Sequence, residues 1–318
     1  MASLHGEGTA ITAVLTVQPA GLPHSSPPQS RRRLPLLAGY LRLARPPDTL
    51  FACIGTVIGA GLAGILQSSA ANILIVAALT TLLSAASMMV NDWHDVLEDA
   101  VNRPDRPVPS GAVPRQHALG LGILLFAMGI VIAAFAGARF GITAVGLATL
   151  SVLYTWKLKA LPIAGNATAG LLSSYPLWCW MLSNGFQSVA HVGAVGGFFA
   201  GAVGREIVRT AADVPGDCIR GIPTVACVWG ARRANHAGLG LMMLGLAVAA
   251  ASAIGSGFVG YQTALAIGGA AILIVGVRWV RASDASVASR RLTQLARVVT
   301  ALLAAGVAWD LTARWLAR

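Results

Sequence analysis

The sequence contains few charged residues. Only 11% of its 318 residues are Asp, Glu, Lys or Arg, against about 25% in an average soluble domain. With 56% hydrophobic residues and a mean hydropathy of +0.70, this composition excludes an ordinary soluble fold. Cysteine is also scarce. The four cysteines have no metal-ligand spacing, and disulfides are not expected among them.

Charge is missing over long continuous stretches. The uncharged runs are 49–91, 116–138, 160–204 and 234–277. A helix that crosses a bilayer needs about 20 apolar residues, so the three longest runs can each hold two helices. The sequence therefore predicts an all-α polytopic membrane protein with a central chamber. Its nine predicted transmembrane helices lie at about 49–66, 71–92, 117–137, 140–157, 165–182, 190–209, 235–254, 261–280 and 292–312.

The basic residues predict the orientation of these helices. With the N-terminus in the cytoplasm, 20 of the 23 Lys and Arg residues fall on the cytoplasmic side. The net charge of +11 then serves to hold this face against anionic lipid in the cell (inner) membrane, and no nucleic-acid partner is expected. Residues 1–34 are predicted to be a disordered tail, and residues 35–318 the transmembrane domain.

Acidic residues concentrate in "NDWHDVLEDAVNRPDRPVPSG" (91–111), at the end of the second predicted helix. On a continuous helix Asp92, Asp95 and Asp99 lie within about 60° of one another, whereas Glu98 points away from that face. Clustered carboxylates suit a hard cation such as Mg²⁺, which completes its shell with waters and substrate phosphates. Taken alone, the cluster is better explained as a solvated helix end that pairs with Arg103 and Arg106.

A second acidic cluster, "GREIVRTAADVPGD" (204–217), ends another predicted helix on the same side and contains Glu206, Asp213 and Asp217. Helix N-capping by Asp213 is the alternative interpretation of one of these residues. Arginines accompany both clusters: Arg103 and Arg106 near the first, and Arg205, Arg209 and Arg220 near the second. Two acidic faces with surplus arginines can hold two Mg²⁺ ions and a diphosphate between them.

These motifs resemble those of the UbiA superfamily of intramembrane prenyltransferases. "NDWHDVLED" matches the first signature NDxxDxxxD, "NRPDRPVPSG" the loop that follows it, and "DVPGD" (213–217) the second signature DxxxD. "YTWKLK" (154–159) is similar to the middle motif. The chain departs from the family pattern at Arg209 and Thr210, where Lys-Asp is usual, at Pro215, and at Asp48, where Asn is usual.

The resemblance implies an enzyme that binds Mg²⁺ and a prenyl diphosphate donor in the lipid bilayer. The residues that it implies for the metal are Asn91, Asp92, Asp95, Asp99, Asp213 and Asp217. Those implied for the diphosphate are Asn91, Arg103, Arg106, Lys159 and Arg209. Those implied for catalysis are Lys159, Arg209 and Tyr154.

Three functions follow as hypotheses. The first is transfer of an isoprenoid chain to an aromatic or lipid-like hydroxyl acceptor with release of diphosphate. The second is a membrane terpene cyclase of the same fold, for which no acceptor is needed; Thr210 favours it because a possible acid or base is missing there. The third is an ion-coupled transporter. It is disfavoured because transporter sites lie near the bilayer midplane, whereas these acids lie at helix ends.

Overall fold

The structure is a computed structural model, and it describes residues 36–65, 70–184, 188–219, 221–282 and 284–317. No β-strand occurs among these residues, so the all-α prediction is confirmed for them. The α-helices are α1 (Leu36–Leu43), α2 (Pro46–Leu62), α3 (Ala70–His94), α4 (Val96–Asn102), α5 (Arg115–Ala136), α6 (Ala138–Trp156), α7 (Pro162–Trp178), α8 (Met181–Asn184), α9 (Val189–Ile219), α10 (Val225–Trp229), α11 (Ala231–Ala253), α12 (Val259–Ala271), α13 (Val277–Ala282) and α14 (Ala285–Leu316). A 3₁₀ turn at Leu158–Ala160 precedes α7, and a π-helical turn at Ile272–Gly276 joins α12 to α13. The predicted tail at 1–34 lies outside the described residues.

Six helical segments of the described chain are long and apolar enough to cross a membrane. They are Ala70–His94, Arg115–Ala136, Ala138–Trp156, Ala231–Ala253, Val259–Arg281 and Ala285–Leu316. The apolar helix α2 is shorter. These segments make the chain a multi-pass membrane protein. A total of nine crossing helices stays a prediction.

Local sequence explains where two of the helices that line the chamber begin. Pro46 and Pro47 occupy the first turn of α2, where their missing N–H groups cost nothing. The residue before them, Arg45, has a positive φ of 47°. At α14 the Asp284 carboxylate accepts hydrogen bonds from the backbone N–H groups of the first helical turn.

Helices α9 and α11 pack backbone to backbone through glycines. A Cβ atom on Gly204 would lie 2.4 Å from the carbonyl oxygen of Gly238, and one on Gly245 would lie 2.3 Å from that of Gly197. Small residues permit such close approach between helices in lipid. Helix α9, which carries the second acidic cluster, is therefore held on a rigid support.

Candidate active site

A chamber of about 790 Å³ runs through the helix bundle, and its lining changes from charged to apolar along α2. Arg45 and Asp48 lie at the charged end, and Ile58 and Leu62 at the other. At 1.5 Å per residue, the helix from Asp48 to Leu62 spans about 21 Å. A long apolar substrate with one charged end fits a chamber of this form.

The first acidic wall, residues 91–106, is built by a broken helix. Helix α3 ends at His94, Asp95 has φ −87° and ψ 18°, and α4 begins at Val96. The break turns Glu98 into the chamber lining, where its side chain is buried. The prediction that Glu98 points away was wrong because it assumed one continuous helix through Asp95.

Basic side chains from separate parts of the chain neutralise the first wall. The ion pairs join Asp92 to Arg45 and to Arg106 (3.2 Å), Asp99 to Arg106 and to Arg103 (3.5 Å), and Asp95 to Lys159 (2.5 Å). The arginine pairing that the sequence offered as an alternative is thus present, but it occurs inside a chamber rather than at a solvated helix end. These cations lie where they could transfer from the carboxylates to an anionic ligand.

Asp95 is held in its charged form. Burial raises the pKa of its carboxyl, but hydrogen bonds from His94 and Lys159, together with the Lys159 charge, outweigh burial and lower the pKa to about 2. The side chain donates no proton at physiological pH and acts as a fixed negative charge.

The second acidic wall, residues 205–217, lies on one continuous helix. Helix α9 extends to Ile219, ten residues beyond the predicted end at 209. Asp213 is therefore an interior helical residue, and the N-cap interpretation was wrong. The Glu206 carboxylate accepts hydrogen bonds from Arg209 (2.9 Å) and Arg205 (3.2 Å) of the same helix.

Two residues of the first wall connect it to the second. The Arg103 guanidinium donates to both Asp213 carboxylate oxygens, at 2.6 and 2.7 Å. The Asn102 amide donates to the Asp213 carbonyl oxygen (3.0 Å) and accepts from the Gly216 N–H (2.9 Å). These hydrogen bonds lie beside Pro215, which has no N–H to donate within α9. The two acidic walls are thereby fixed face to face.

Asp217 differs from Asp95 in its protonation. Burial, and secondarily the nearby Asp213 charge, raises the pKa of the Asp217 carboxyl to about 6. The residue lies beyond the predicted membrane span that ends at 209. In the protein without a bound cation, this carboxyl therefore titrates just below neutral pH.

The structure brings all but one of the predicted site residues to the chamber. Those that line it are Asn91, Asp95, Asp99, Arg103, Arg106, Tyr154, Lys159, Arg209, Asp213 and Asp217. The exception is Asp92, which is 1% exposed and lies behind the lining, paired with Arg45 and Arg106. Its described contacts support the arginines rather than a ligand in the chamber.

Sequence reasoning missed three residues of this end of the chamber: Arg45, Glu98 and Asn102. Arg45 precedes "PP" at the start of α2, and only the tertiary fold brings it to Asp92. Asn102 stands directly before the arginines of "NRPDR", a position that could have drawn attention to it. Glu98 was missed because the break at Asp95 changes the direction in which the residues after it point.

The donor chemistry of both walls suits a hard divalent cation. The atoms are carboxylate oxygens together with Asn91 Oδ1, which is buried and accepts no hydrogen bond in the described chain. Within the described residues, however, no three His, Cys, Asp or Glu side chains converge as a metal cluster, and basic side chains pair with Asp95, Asp99 and Asp213. The residues that would hold a divalent cation are Asn91, Asp95, Asp99, Asp213 and Asp217, whose oxygen atoms are of the kind that such a cation prefers.

Comparison with known proteins agrees with this geometry. The family model described as "UbiA prenyltransferase family" matches residues 52–300. A digeranylgeranylglyceryl phosphate synthase from Pyrococcus abyssi is 33% identical over 195 residues, which cover 61% of this chain and 70% of the relative.

Solved structures share the fold at lower identity. A UbiA homolog from Aeropyrum pernix K1 in its apo form has a TM-score of 0.69 at 18% identity, covering 83% of this chain and 98% of that one. A UbiA homolog from Archaeoglobus fulgidus bound to GPP and Mg²⁺ has a TM-score of 0.66 at 17% identity, covering 86% and 99%. The chain therefore belongs to the UbiA prenyltransferase family and is a prenyltransferase.

Proposed function

We propose that this enzyme transfers an isoprenoid chain from an allylic prenyl diphosphate to the hydroxyl group of a lipid-like acceptor, with Mg²⁺ and release of diphosphate. The observation that carries the proposal is the chamber itself, which joins two facing acidic walls and their cations to an apolar interior. The GPP- and Mg²⁺-bound homolog of the same fold supports the donor and the metal.

The diphosphate would bind between the two walls. Arg103, Arg106 and Lys159 line the chamber, and each forms an ion pair with a carboxylate of the first wall. A diphosphate oxygen can replace a carboxylate oxygen as their acceptor, and an arginine can hold two such oxygens at once. A bound divalent cation would neutralise the developing charge on the leaving group.

The reaction would begin with cleavage of the C1–O bond of the donor, with both electrons leaving on the diphosphate. The cations of the two walls stabilise that charge. The allylic cation forms toward the apolar part of the chamber, where few waters can capture it, and Phe51 and Phe198 present aromatic rings in the lining. The acceptor oxygen then bonds to C1, and its proton passes to an oxygen of the released diphosphate.

A row of polar side chains on α14 is our candidate for the site that binds the acceptor. Arg290, Thr293, Gln294 and Arg297 share one helical face and line the chamber mouth. Arg297 forms a loose pair with Asp48 (3.5 Å), and Arg290 contacts only a serine hydroxyl (Ser286 Oγ, 3.4 Å) among the described hydrogen bonds and ion pairs. An acceptor with an anionic headgroup, as the name of the Pyrococcus relative suggests, suits this row better than a neutral phenol.

The charged end of the chamber is proposed to face the cytoplasm. The charged residues at the start of α2, the end of α3 and the end of α9 meet there. The excess of Lys and Arg in the loops on this side of the predicted membrane topology supports that orientation.

The proposal is tested with purified enzyme in lipid nanodiscs. Diphosphates of increasing length are supplied with Mg²⁺ and one of three acceptor conditions: a monoalkylated glyceryl phosphate, a simple phenol, or none. We expect diphosphate release and an ether product with the glyceryl phosphate. Terpene hydrocarbon or alcohol formed without acceptor would establish the cyclase instead, and no turnover under any condition would refute both.

A further inference from the structure

Two cysteines lie side by side where the second acidic wall ends. The thiols of Cys218 and Cys227 form a hydrogen bond with each other, with their sulfur atoms 3.6 Å apart. Cys218 lies in the last turn of α9 and is exposed, and Cys227 is half-buried on α10. Their separation of nine positions matches no metal-ligand motif, so only the fold shows that they are partners.

The turn after α9 brings the two cysteines together. The Ile222 N–H donates to the Asp217 carbonyl oxygen (2.9 Å), and the Gly221 N–H donates to that of Cys218 (3.1 Å). Gly221 has a positive φ of 65°, which glycine adopts without steric cost. These are the features of a Schellman motif at a helix end. The chain therefore reverses tightly and returns α10 to the side of α9.

Helix α10 is fixed on α9 by contacts on both sides of Cys227. Ala226 is buried in a cluster with Ile207 of α9, and its N–H donates to Thr210 Oγ1 (3.2 Å). The Thr224 hydroxyl donates to the sulfur of Cys227 (3.2 Å). The Cys227 thiol is thus held in place, and its exposed partner at the end of α9 is the one that can move toward it.

We propose that Cys218 and Cys227 form a reversible disulfide site that reacts with small disulfide oxidants, because their sulfur atoms are adjacent and one of them is exposed. The Cys218 thiolate attacks one sulfur of the oxidant, and the other sulfur leaves as a thiol. The Cys227 sulfur then attacks that of Cys218 and releases the second thiol. The protein loses two electrons to the oxidant, and its two thiol protons end on the released thiols. Disulfides in a reducing compartment are usually transient and redox-sensing.

The disulfide would weaken the binding of Mg²⁺ and diphosphate in the chamber. Sulfur atoms that lie 3.6 Å apart must approach to about 2.0 Å to bond. Asp217 directly precedes Cys218 and lines the chamber, so part of this movement falls on a carboxylate assigned to the metal. A displacement of about 1 Å in such a site can cost about 10²-fold. This effect rests on the proposed function.

The experiment treats the enzyme in lipid nanodiscs with oxidised glutathione and then with dithiothreitol. Peptide mass spectrometry should show a Cys218–Cys227 cross-link after the first step and free thiols after the second. The rise in melting temperature caused by Mg²⁺ with inorganic diphosphate gives their apparent Kd. We expect this Kd to rise at least roughly tenfold on oxidation, kcat/KM for the donor to fall in parallel, and both to recover on reduction.

Two variants control for other effects of the oxidant. Cys218→Ser cannot form the cross-link, so oxidised glutathione should leave its Kd unchanged. Cys53→Ser removes a half-buried cysteine of α2 and should respond as the wild type does. An equal loss of affinity in Cys218→Ser would overturn the inference. Cross-linking and its reversal in the wild type decide the matter even if Cys218→Ser does not fold.

The outcomes separate the disulfide site from the proposed function. A glutathione adduct on Cys218 without a cross-link to Cys227 overturns the site. A complete cross-link that leaves the Kd unchanged overturns its effect on Asp217. If the reduced enzyme turns over no donor, the proposed function fails, whereas the mass spectrum still decides whether the disulfide site exists.

Discussion

The two acidic walls of the chamber are built in different ways. The first wall receives its cations from distant parts of the chain: Arg45 before α2, Arg106 after α4 and Lys159 in the 3₁₀ turn. In the second wall, Glu206 is paired within its own helix by Arg205 and Arg209. The first wall therefore depends on the assembled fold, whereas much of the second is specified by local sequence.

The largest expected effect comes from removing a fixed charge from the first wall. Asp95→Asn keeps the side-chain size but deletes the carboxylate that pairs with Lys159. We expect kcat to fall by about 10²–10³-fold, because Lys159 and a bound cation would lose the carboxylate that positions them, and losing one such stabilising contact to the leaving group has an effect of this size. Diphosphate release under saturating donor and Mg²⁺ measures this.

Asp310→Asn is the matched control for that substitution. Asp310 is also buried, but it binds the Gly260 and Tyr261 N–H groups at the far end of the bundle. Its loss should reduce stability and leave the activity of the folded enzyme unchanged. Equal losses of activity in both variants would refute the role of the first wall.

The fold and most of the site could be predicted from the sequence because their signals are local. Uncharged runs indicate helices, and the NDxxDxxxD and DxxxD spacings locate the acids. Arg45 and Asn102 could not be predicted, because their contacts join residues 47 and 111 positions apart. Glu98 was misplaced because a single residue, Asp95, breaks the helical register.

The next effect tests the connection between the walls. Arg103→Lys keeps the charge but has one nitrogen in place of the two with which Arg103 joins Asp213 (Nη2) to Asp99 (Nη1, 3.5 Å). Since a hydrogen bond to a charged group contributes about 1.5–3 kcal/mol, we expect kcat/KM for the donor to fall by roughly 10–100-fold. A double-mutant cycle with Asp213→Asn should show strong coupling. Additive effects would mean that the walls act independently.

The contrast between Asp95 and Asp217 predicts opposite effects on stability. The pKa of Asp217 is raised to about 6, so in the metal-free protein its charge destabilises the fold above that pH, and protonation relieves this as the pH falls. Metal-free Asp217→Asn should melt about 1–2 °C above the wild type at pH 7.5, the shift expected for about 1 kcal/mol in a chain of this size.

The difference in melting temperature between Asp217→Asn and the wild type should become smaller as the pH falls toward 5. The pKa of Asp95 is lowered to about 2, so its charge stabilises the fold at both pH values, and Asp95→Asn should melt below the wild type at both. Differential scanning fluorimetry with a chelator present measures all three proteins. A pH-independent advantage for Asp217→Asn would contradict the raised pKa.

The smallest effect concerns Thr210, where the second wall departs from the family pattern. Its hydroxyl donates to the Ile207 carbonyl oxygen (2.7 Å) and accepts from the Ala226 N–H of α10 (3.2 Å), so it joins two helices. Thr210→Val keeps the shape and removes both bonds, and it should lower the free energy of unfolding by about 1 kcal/mol. The kcat/KM of the folded enzyme should stay within roughly twofold of the wild type, because α9 is held independently by its contacts with α11 and Asn102. A large fall in kcat at an unchanged melting temperature would instead place this hydroxyl in the reaction. In that case the second wall would depend on chemistry at a chamber-lining residue whose described hydrogen bonds only join two helices.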